Sequence, residues 1–213
     1  EAQVSRSGTL STNSTGSIIG AYNAGFPNYY FNGKIDDVRI WNDARTVAEI
    51  QENMHTELAG NESNLVAYYK MSNGTGTSLT DNSSNSNAGT LTNMVNGDWV
   101  TSYAVIGDLG SSYKTDVEGI WSVSGTSESD ASTGLTMTVS SVLTAGNFAV
   151  FGNNNTGNAV SSDLGSVAST HRLGRIWQVD ESGTVSATIK IDMSDATAGN
   201  PGSGAASNYR LLY

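Results

Sequence analysis

The chain has 213 residues and a formal net charge of −10, with 24 glycines, only two prolines and no cysteine. That charge argues against a nucleic-acid backbone or an anionic membrane surface as partner, and no apolar run is long enough to cross a bilayer. Without cysteine there can be no disulfide, zinc–thiolate site or thiol nucleophile, while the mix of Ser, Thr, Asn and Gly with β-branched runs suits short strands joined by polar turns.

Residues 1–28 read as strand, turn, strand: Ala2–Leu10, a polar loop at Ser11–Gly16, then Ser17–Tyr22, before a loop carrying Gly25 and Pro27. The run from Tyr29 to Asn42 reads as a further strand. Ile35, Asp37, Arg39 and Trp41 would share one face, and Asp36, Val38 and Ile40 the other. A short helix follows. Thr46 can cap it and Glu49 completes a capping box, with Val47, Ile50 and Met54 forming a narrow apolar stripe expected to lie on a sheet. After a polar linker at His55–Asn64, Leu65–Met71 is a strand with apolar residues on both faces, which predicts a central position. Ser72–Ala88 is a long polar loop, and Gly89–Leu91 and Asp98–Val100 read as short strands.

A joint near Thr101–Tyr103 divides the chain into residues 1–102 and 103–213. The strand candidates beyond it are Tyr103–Ile106, Gly119–Val123, Leu135–Val142, Asn147–Phe151, Arg175–Val179, Thr184–Ile191 and Tyr209–Leu212. Leu135, Met137 and Val139 alternate with threonines, and Val185, Ala187, Ile189 and Ile191 alternate with Ser186, Thr188 and Lys190, the pattern of half-buried strands. Such a series describes a small antiparallel sandwich.

The inventory for catalysis is thin. His55 follows the helix, and His171 sits in Ser169-Thr170-His171-Arg172 with no Gly-x-Ser-x-Gly nucleophile nearby. Asp36 and Asp37 are adjacent, so on a strand they face opposite ways and cannot flank one glycosidic bond. Asp192 and Asp195 lie at a strand end and suit a turn. Gly199–Gly204 lacks the lysine and following helix of a phosphate loop. The expectation is a protein that is not an enzyme.

Two stretches carry a family resemblance. Phe31-Asn32-Gly33-Lys34-Ile35-Asp36-Asp37-Val38-Arg39-Ile40-Trp41-Asn42, running on to Ile50, resembles the closing segment of laminin-G-like, concanavalin-A-like jelly rolls of bacterial surface proteins. Leu65-Val66-Ala67-Tyr68-Tyr69-Lys70-Met71, with Gly74-Thr75-Gly76, Asp81 and Asn85-Ser86-Asn87-Ala88-Gly89-Thr90-Leu91, resembles a second signature of the same family. The resemblance covers about residues 8–100. It implies late strands of the jelly roll, so the early strands are expected from upstream sequence, from another chain or from the Leu65–Leu91 block. Residues 103–213, through Asn147–Asn154, Arg175–Thr184 and Asn208–Leu212, are similar to an uncharacterised β-sandwich module that follows such domains in large bacterial adhesins. With no initiator methionine and no apolar leader, the chain reads as a window of a longer polypeptide.

The expected fold is therefore all-β: a partial concanavalin-A-like jelly-roll sandwich with one short helix, then a smaller antiparallel β-sandwich. Two sites are expected. Asp36 with the loop oxygens of Asp81, Asn85 and Asn87 would supply the hard ligands calcium takes, and related jelly rolls use such a closing ion. The competing reading is a solvated loop, with Asp36 or Asp37 paired to Arg39 or Lys34. Tyr22, Tyr29, Tyr30 and Trp99 are candidate sugar-binding aromatics, against a reading as sheet packing. Trp41, Trp121 and Trp177 are assigned to structure, and Arg39 and Arg175 could stack on nearby tryptophans. The function expected is a non-enzymatic, secreted or cell-surface structural and adhesive segment. Its partners would be neighbouring domains or copies of itself, joined by strand addition. A carbohydrate-binding module that takes up glycans is the alternative.

Overall fold

The computed structural model describes residues 16–22, 29–122, 124–129, 134–157, 160–161 and 172–191. The expected strands at Ala2–Leu10 and Tyr209–Leu212, together with His171, Asp192 and Asp195, lie outside them. The chain divides into two compact units, Glu1–Ile35 and Asp36–Tyr213, so the joint read near residue 102 falls inside the second.

In the first unit, β1 (Ala21–Tyr22) pairs antiparallel with β2 (Tyr29–Tyr30), Ala21 opposite Tyr30. Phe31 N donates to Gly20 O at 2.9 Å and extends the pairing by one bond. Tyr29 and Tyr30 are 63% and 66% exposed.

The strand expected from Tyr29 to Asn42 is broken. Asp37 adopts a φ of 48°, a left-handed conformation that an aspartate tolerates and that interrupts the extended run here. What remains is β3 (Val38–Trp41), followed by α1 (Val47–Asn53), β4 (Leu65–Tyr69), β5 (Ser78–Leu79) and β6 (Gly89–Thr90). β3 and β4 pair antiparallel, Val38 opposite Tyr69 and Ile40 opposite Ala67, and β5 pairs with β6. β4 is buried on both faces, as its sequence implied. Ala67 and Tyr69 pack with Leu79, Val38, Ile40, Leu91 and Trp99 on one side, while Leu65 and Tyr68 pack with Leu58 and Trp41 on the other.

The helix begins as expected. Glu49 N donates to Thr46 Oγ1 at 3.2 Å and Thr46 N donates to Glu49 Oε2 at 2.7 Å. Its apolar stripe does not dock: Val47 is 72% exposed, and Ile50 and Met54 are exposed as well. The helix is held by its C-terminal end instead, where Arg39 Nη1 donates to Asn53 O at 2.6 Å and Nη2 to Thr56 O at 2.6 Å. Terminal carbonyls without intrahelical partners are what a guanidinium fork can satisfy.

The rest of the second unit is a small sandwich. Its strands are β7 (Thr115–Ile120), β8 (Ser127–Ser129), β9 (Leu135–Val139), β10 (Phe148–Asn153), β11 (Val160–Ser161), β12 (Arg172–Leu173), β13 (Trp177–Ser182) and β14 (Ala187–Ile191). One three-stranded sheet runs β13-β10-β7 and the other β14-β9-β8, all pairings antiparallel; β11 and β12 form a separate pair. Leu135, Met137 and Val139 of β9 meet Ile120, Ala149 and Phe151 across the interior. The other face of β10 packs Phe148 and Val150 on Leu109 and Val117, so period-two alternation along one strand serves two apolar layers. The alternation read along Val185–Ile191 holds less well: Val185 reaches the core, but Ile189 is 46% exposed on a strand that, among the described residues, pairs with β9 alone.

Tyr103–Ile106 and Asp98–Val100 do not form strands. Asn96–Asp98 is a 3-10 turn, and the segment after residue 103 docks on the end of the helix. Thr56 and Gly107 form a parallel bridge, and Gly107 N donates to His55 O at 2.7 Å. The buried His55 ring bonds Val105 O through Nδ1 at 3.0 Å and lies 5.0 Å from the Trp121 ring. Because a carbonyl only accepts, Nδ1 carries the proton.

Candidate functional site

β4 pairs with β3 along one edge. Along its other edge the neighbour is the polar loop of residues 80–88, bonded in place of a strand. Asn82 N donates to Tyr68 O at 2.7 Å, and Tyr68 N donates to Asp81 Oδ1 at 2.9 Å. Asn85 Nδ2 donates to Leu65 O at 2.8 Å, and Asn87 Nδ2 to Val66 O at 2.9 Å. An unpaired strand edge is a template for unwanted association, and here side-chain amides cover it.

Asp81 fixes the loop that does this. Beyond Tyr68 N, its carboxylate accepts from Ser83 N at 2.8 Å, Ser83 Oγ at 2.8 Å and Asn87 N at 2.6 Å. Burial alone would raise its pKa, but the bonds from Tyr68, Ser83 and Asn87 outweigh it and hold the carboxyl below its ordinary value. A second loop is clamped against the first at Gly60, whose φ is 90° and where a Cβ would lie 2.0 Å from Asn82 O, so no side chain fits. Ser84 N donates to Gly60 O at 2.8 Å, and the Glu62 carboxylate accepts from Ala59 N at 2.7 Å and Gly60 N at 2.9 Å.

Between the two loops, at the start of β4, lies an open cleft of about 350 Å³. Its polar walls are Asn42, Asn61, Glu62, Asn64, Asn85 and Asn87.

A separate polar cluster lies between β3, β4 and the helix end. Arg39 Nη2 pairs with Asp37 Oδ2 at 2.6 Å, and Tyr68 OH donates to Asp37 Oδ1 at 2.7 Å. The Arg39 guanidinium sits 5.5 Å from the Tyr68 ring centroid. Burial, then the Asp37 carboxylate that accepts its proton, pushes the Tyr68 hydroxyl far above its ordinary pKa. Trp41 has a cation neighbour too, Arg45 rather than Arg39, at 4.3 Å from its centroid.

Of the residues expected to bind calcium, Asp81, Asn85 and Asn87 come together on the β4 edge. Asp36 is engaged elsewhere: it accepts from Asp37 N at 2.9 Å and from Ser102 Oγ. The four donors on Asp81 match the lone pairs a carboxylate offers, so an ion there would have to displace one of them. Among the described residues, no group of three or more His, Cys, Asp or Glu is placed to hold a metal ion. As arranged, Asp36 is bonded apart from Asp81, Asn85 and Asn87, and calcium at Asp81 would need one of its four donors to move.

Of the expected sugar-binding aromatics, Tyr29 and Tyr30 are exposed on β2 of the first unit, and the Tyr22 side chain lies outside the described residues. Trp99 belongs to the second unit, partly buried against Ala67, Tyr69 and Leu79, with Nε1 directed at Gly76 O at 3.4 Å. The cleft residues Asn61, Glu62 and Asn64 escaped the sequence reading because His55–Asn64 has the composition of a linker, and Asn42 because it closes a run read as strand. The signal that could have found three of them is two asparagines and an acid, Asn61, Glu62 and Asn64, directly before a two-faced apolar strand.

Residues 1–51 match the family model of the concanavalin A-like lectin/glucanases superfamily. Residues 108–212 match a domain of unknown function, DUF8202. No curated protein and no solved structure gave a match. An all-β fold with a concanavalin A-like stretch over residues 1–51 agrees with the first block of the resemblance, while the match does not extend to the second block at Leu65–Leu91. That fold is compatible with a lectin-like or adhesive module.

Proposed function

We propose that the chain is a non-enzymatic structural and adhesive module of a larger, extracellular bacterial surface protein. The observation that supports this most is how the polar groups of the second unit are used. Asp37 and Arg39 tie the helix end to β3, Asp81 ties the loop to β4, and Glu62 closes its own turn. Each of these three carboxylates is an anchor for backbone or for a guanidinium, and His55 is buried in packing. Groups fixed in this way stiffen a module but have no free lone pair poised for proton transfer.

Partners in this reading are neighbouring domains and further copies. Strand addition between copies belongs at an edge other than that of β4, which residues 80–88 cover. Two measurements test the proposal. An antibody against the chain labels intact source cells; labelling only after lysis would remove the surface location. Incubation with chromogenic glycosides and esters releases no product, and steady turnover abolished by one carboxylate substitution would make the protein an enzyme.

A second reading, a carbohydrate-binding module, is favoured by one observation: the amide-walled cleft between the two clamped loops.

A further inference from the structure

We infer that Asn32-Gly33 is a site of spontaneous deamidation in the folded chain, while the two other Asn-Gly pairs, Asn73-Gly74 and Asn96-Gly97, are held against it. Such a modification is open to the module under either reading of its function.

The chemistry starts at the main-chain nitrogen after the asparagine, which loses its proton to water or hydroxide and attacks the side-chain Cγ. The Cγ–Nδ2 bond breaks, and that nitrogen leaves as ammonia. Water then opens the succinimide ring. Cleavage at Cγ gives aspartate, and cleavage at the main-chain carbonyl gives isoaspartate. A carboxamide free to turn, an unbonded N–H and no Cβ in the path of attack favour the reaction, and glycine supplies the last of these.

All three pairs are exposed, so exposure does not separate them. Hydrogen bonding does. Asn73 Nδ2 donates to Thr80 Oγ1 at 2.9 Å and its Oδ1 accepts from Thr80 N at 3.3 Å, so both ends of that carboxamide are engaged. Asn96 Oδ1 accepts from Gly76 N at 2.7 Å, and its main chain opens the 3-10 turn that runs to Asp98, with Asn96 O accepting from Trp99 N at 3.3 Å. Asn32 stands apart. Neither its carboxamide nor the Gly33 N–H bonds to a described residue, and the pair belongs to no helix or strand. At Gly33 a Cβ would lie 2.7 Å from Phe31 Cε1 and Cζ, so the ring takes the space that glycine leaves. The product alters a link in the chain. Isoaspartate lengthens the main chain by a methylene and adds a carboxylate, just before the boundary of the two compact units at Ile35 and Asp36.

The test is timed peptide mapping by mass spectrometry of the whole folded chain in mildly alkaline buffer, with isoaspartyl methyltransferase labelling to tell isoaspartate from aspartate. Asn32 is expected to convert first, with Asn73 and Asn96 roughly tenfold slower because their bonds must open before attack. In urea the three rates should converge. Gly33→Ala should suppress conversion at Asn32 alone; the Phe31 ring, 59% exposed, has room to swing from the new methyl. Thr80→Ala removes the acceptor of Asn73 Nδ2 and should speed Asn73 roughly threefold to tenfold without changing Asn32. Equal rates at the three sites in the folded chain overturn the inference, as does faster conversion at Asn73 or Asn96. So does an Asn32 that stays intact while the urea-unfolded chain converts. Conversion at Asn32 that Gly33→Ala leaves undiminished overturns it too, because direct hydrolysis would then be the route.

Discussion

Around Phe151 the chain is held by apolar surface. Residues of β9 and β10 interdigitate across two sheets, and the strands alternate as a sandwich requires. Around Tyr68, in the same compact unit, β4 has one strand beside it, and much of what fixes its surroundings is polar: a guanidinium on two carbonyls, a carboxylate on four donors, asparagine amides along an edge. Apolar packing is graded and tolerates repacking, whereas a buried polar bond is costly to leave unmade. The two regions should therefore fail differently when altered.

The largest effect is expected in the sandwich. Phe151→Ala removes a fully buried ring and should cost about 3–5 kcal/mol, read as a lower urea midpoint. In the polar region, Arg39→Met leaves the Asp37 carboxylate with Tyr68 OH but no cation and takes the guanidinium from the Asn53 and Thr56 carbonyls, for a loss of about 2–3 kcal/mol. A cost above that of Phe151→Ala would reverse the ranking. Asp81→Ala should cost about 1–2 kcal/mol and, more tellingly, expose residues 80–88 to protease while the sandwich stays protected.

Acid separates the regions further. Burial lowers the pKa of His55 in the folded chain, and the Arg39 charge adds to this, although the Val105 bond opposes it. The unfolded chain therefore takes up the proton first, and stability falls as pH drops from about 6.5, the ordinary histidine value, towards the lower folded one. Asp81 is also depressed, so its contribution is present above about pH 4, the ordinary carboxylate range, and lost below it. A series of thermal midpoints with His55→Phe should flatten the upper window and leave the lower one. The smallest effect is reserved for calcium. Millimolar calcium should scarcely move the midpoint, and a clear rise would mean that the 80–88 loop rearranges to free Asp81.

The sandwich was the more legible of the two regions, because period-two alternation at Leu135, Met137 and Val139 is a direct consequence of burying one face. The capping box at Thr46 and Glu49 was legible for the same kind of reason: both ends of the interaction lie three residues apart. The helix stripe misled. Val47, Ile50 and Met54 have helical spacing, yet Arg39, fourteen residues away from Asn53, decides how the helix attaches. The cleft was hidden because its walls, Asn61–Asn64 and Asn85–Asn87, are brought together by Gly60 and Asp81, and pattern along the chain does not register contacts between loops. Asp81, Asn85 and Asn87 were singled out for the right oxygen chemistry. What a sequence cannot tell is that Asn85 and Asn87 turn their nitrogens to β4 while Asp81 takes up amide protons.

Gly119, in β7, has a history in waiting. A Cβ there would lie 3.2 Å from the imidazole of His55, which arrives from beyond the sandwich, at the end of the helix. Any graft that moves residues 103–191 onto a different upstream partner carries an empty socket with it. Where such shuffling has occurred in related sequences, positions 55 and 119 should change in concert, a bulkier residue at one accompanying a smaller ring at the other.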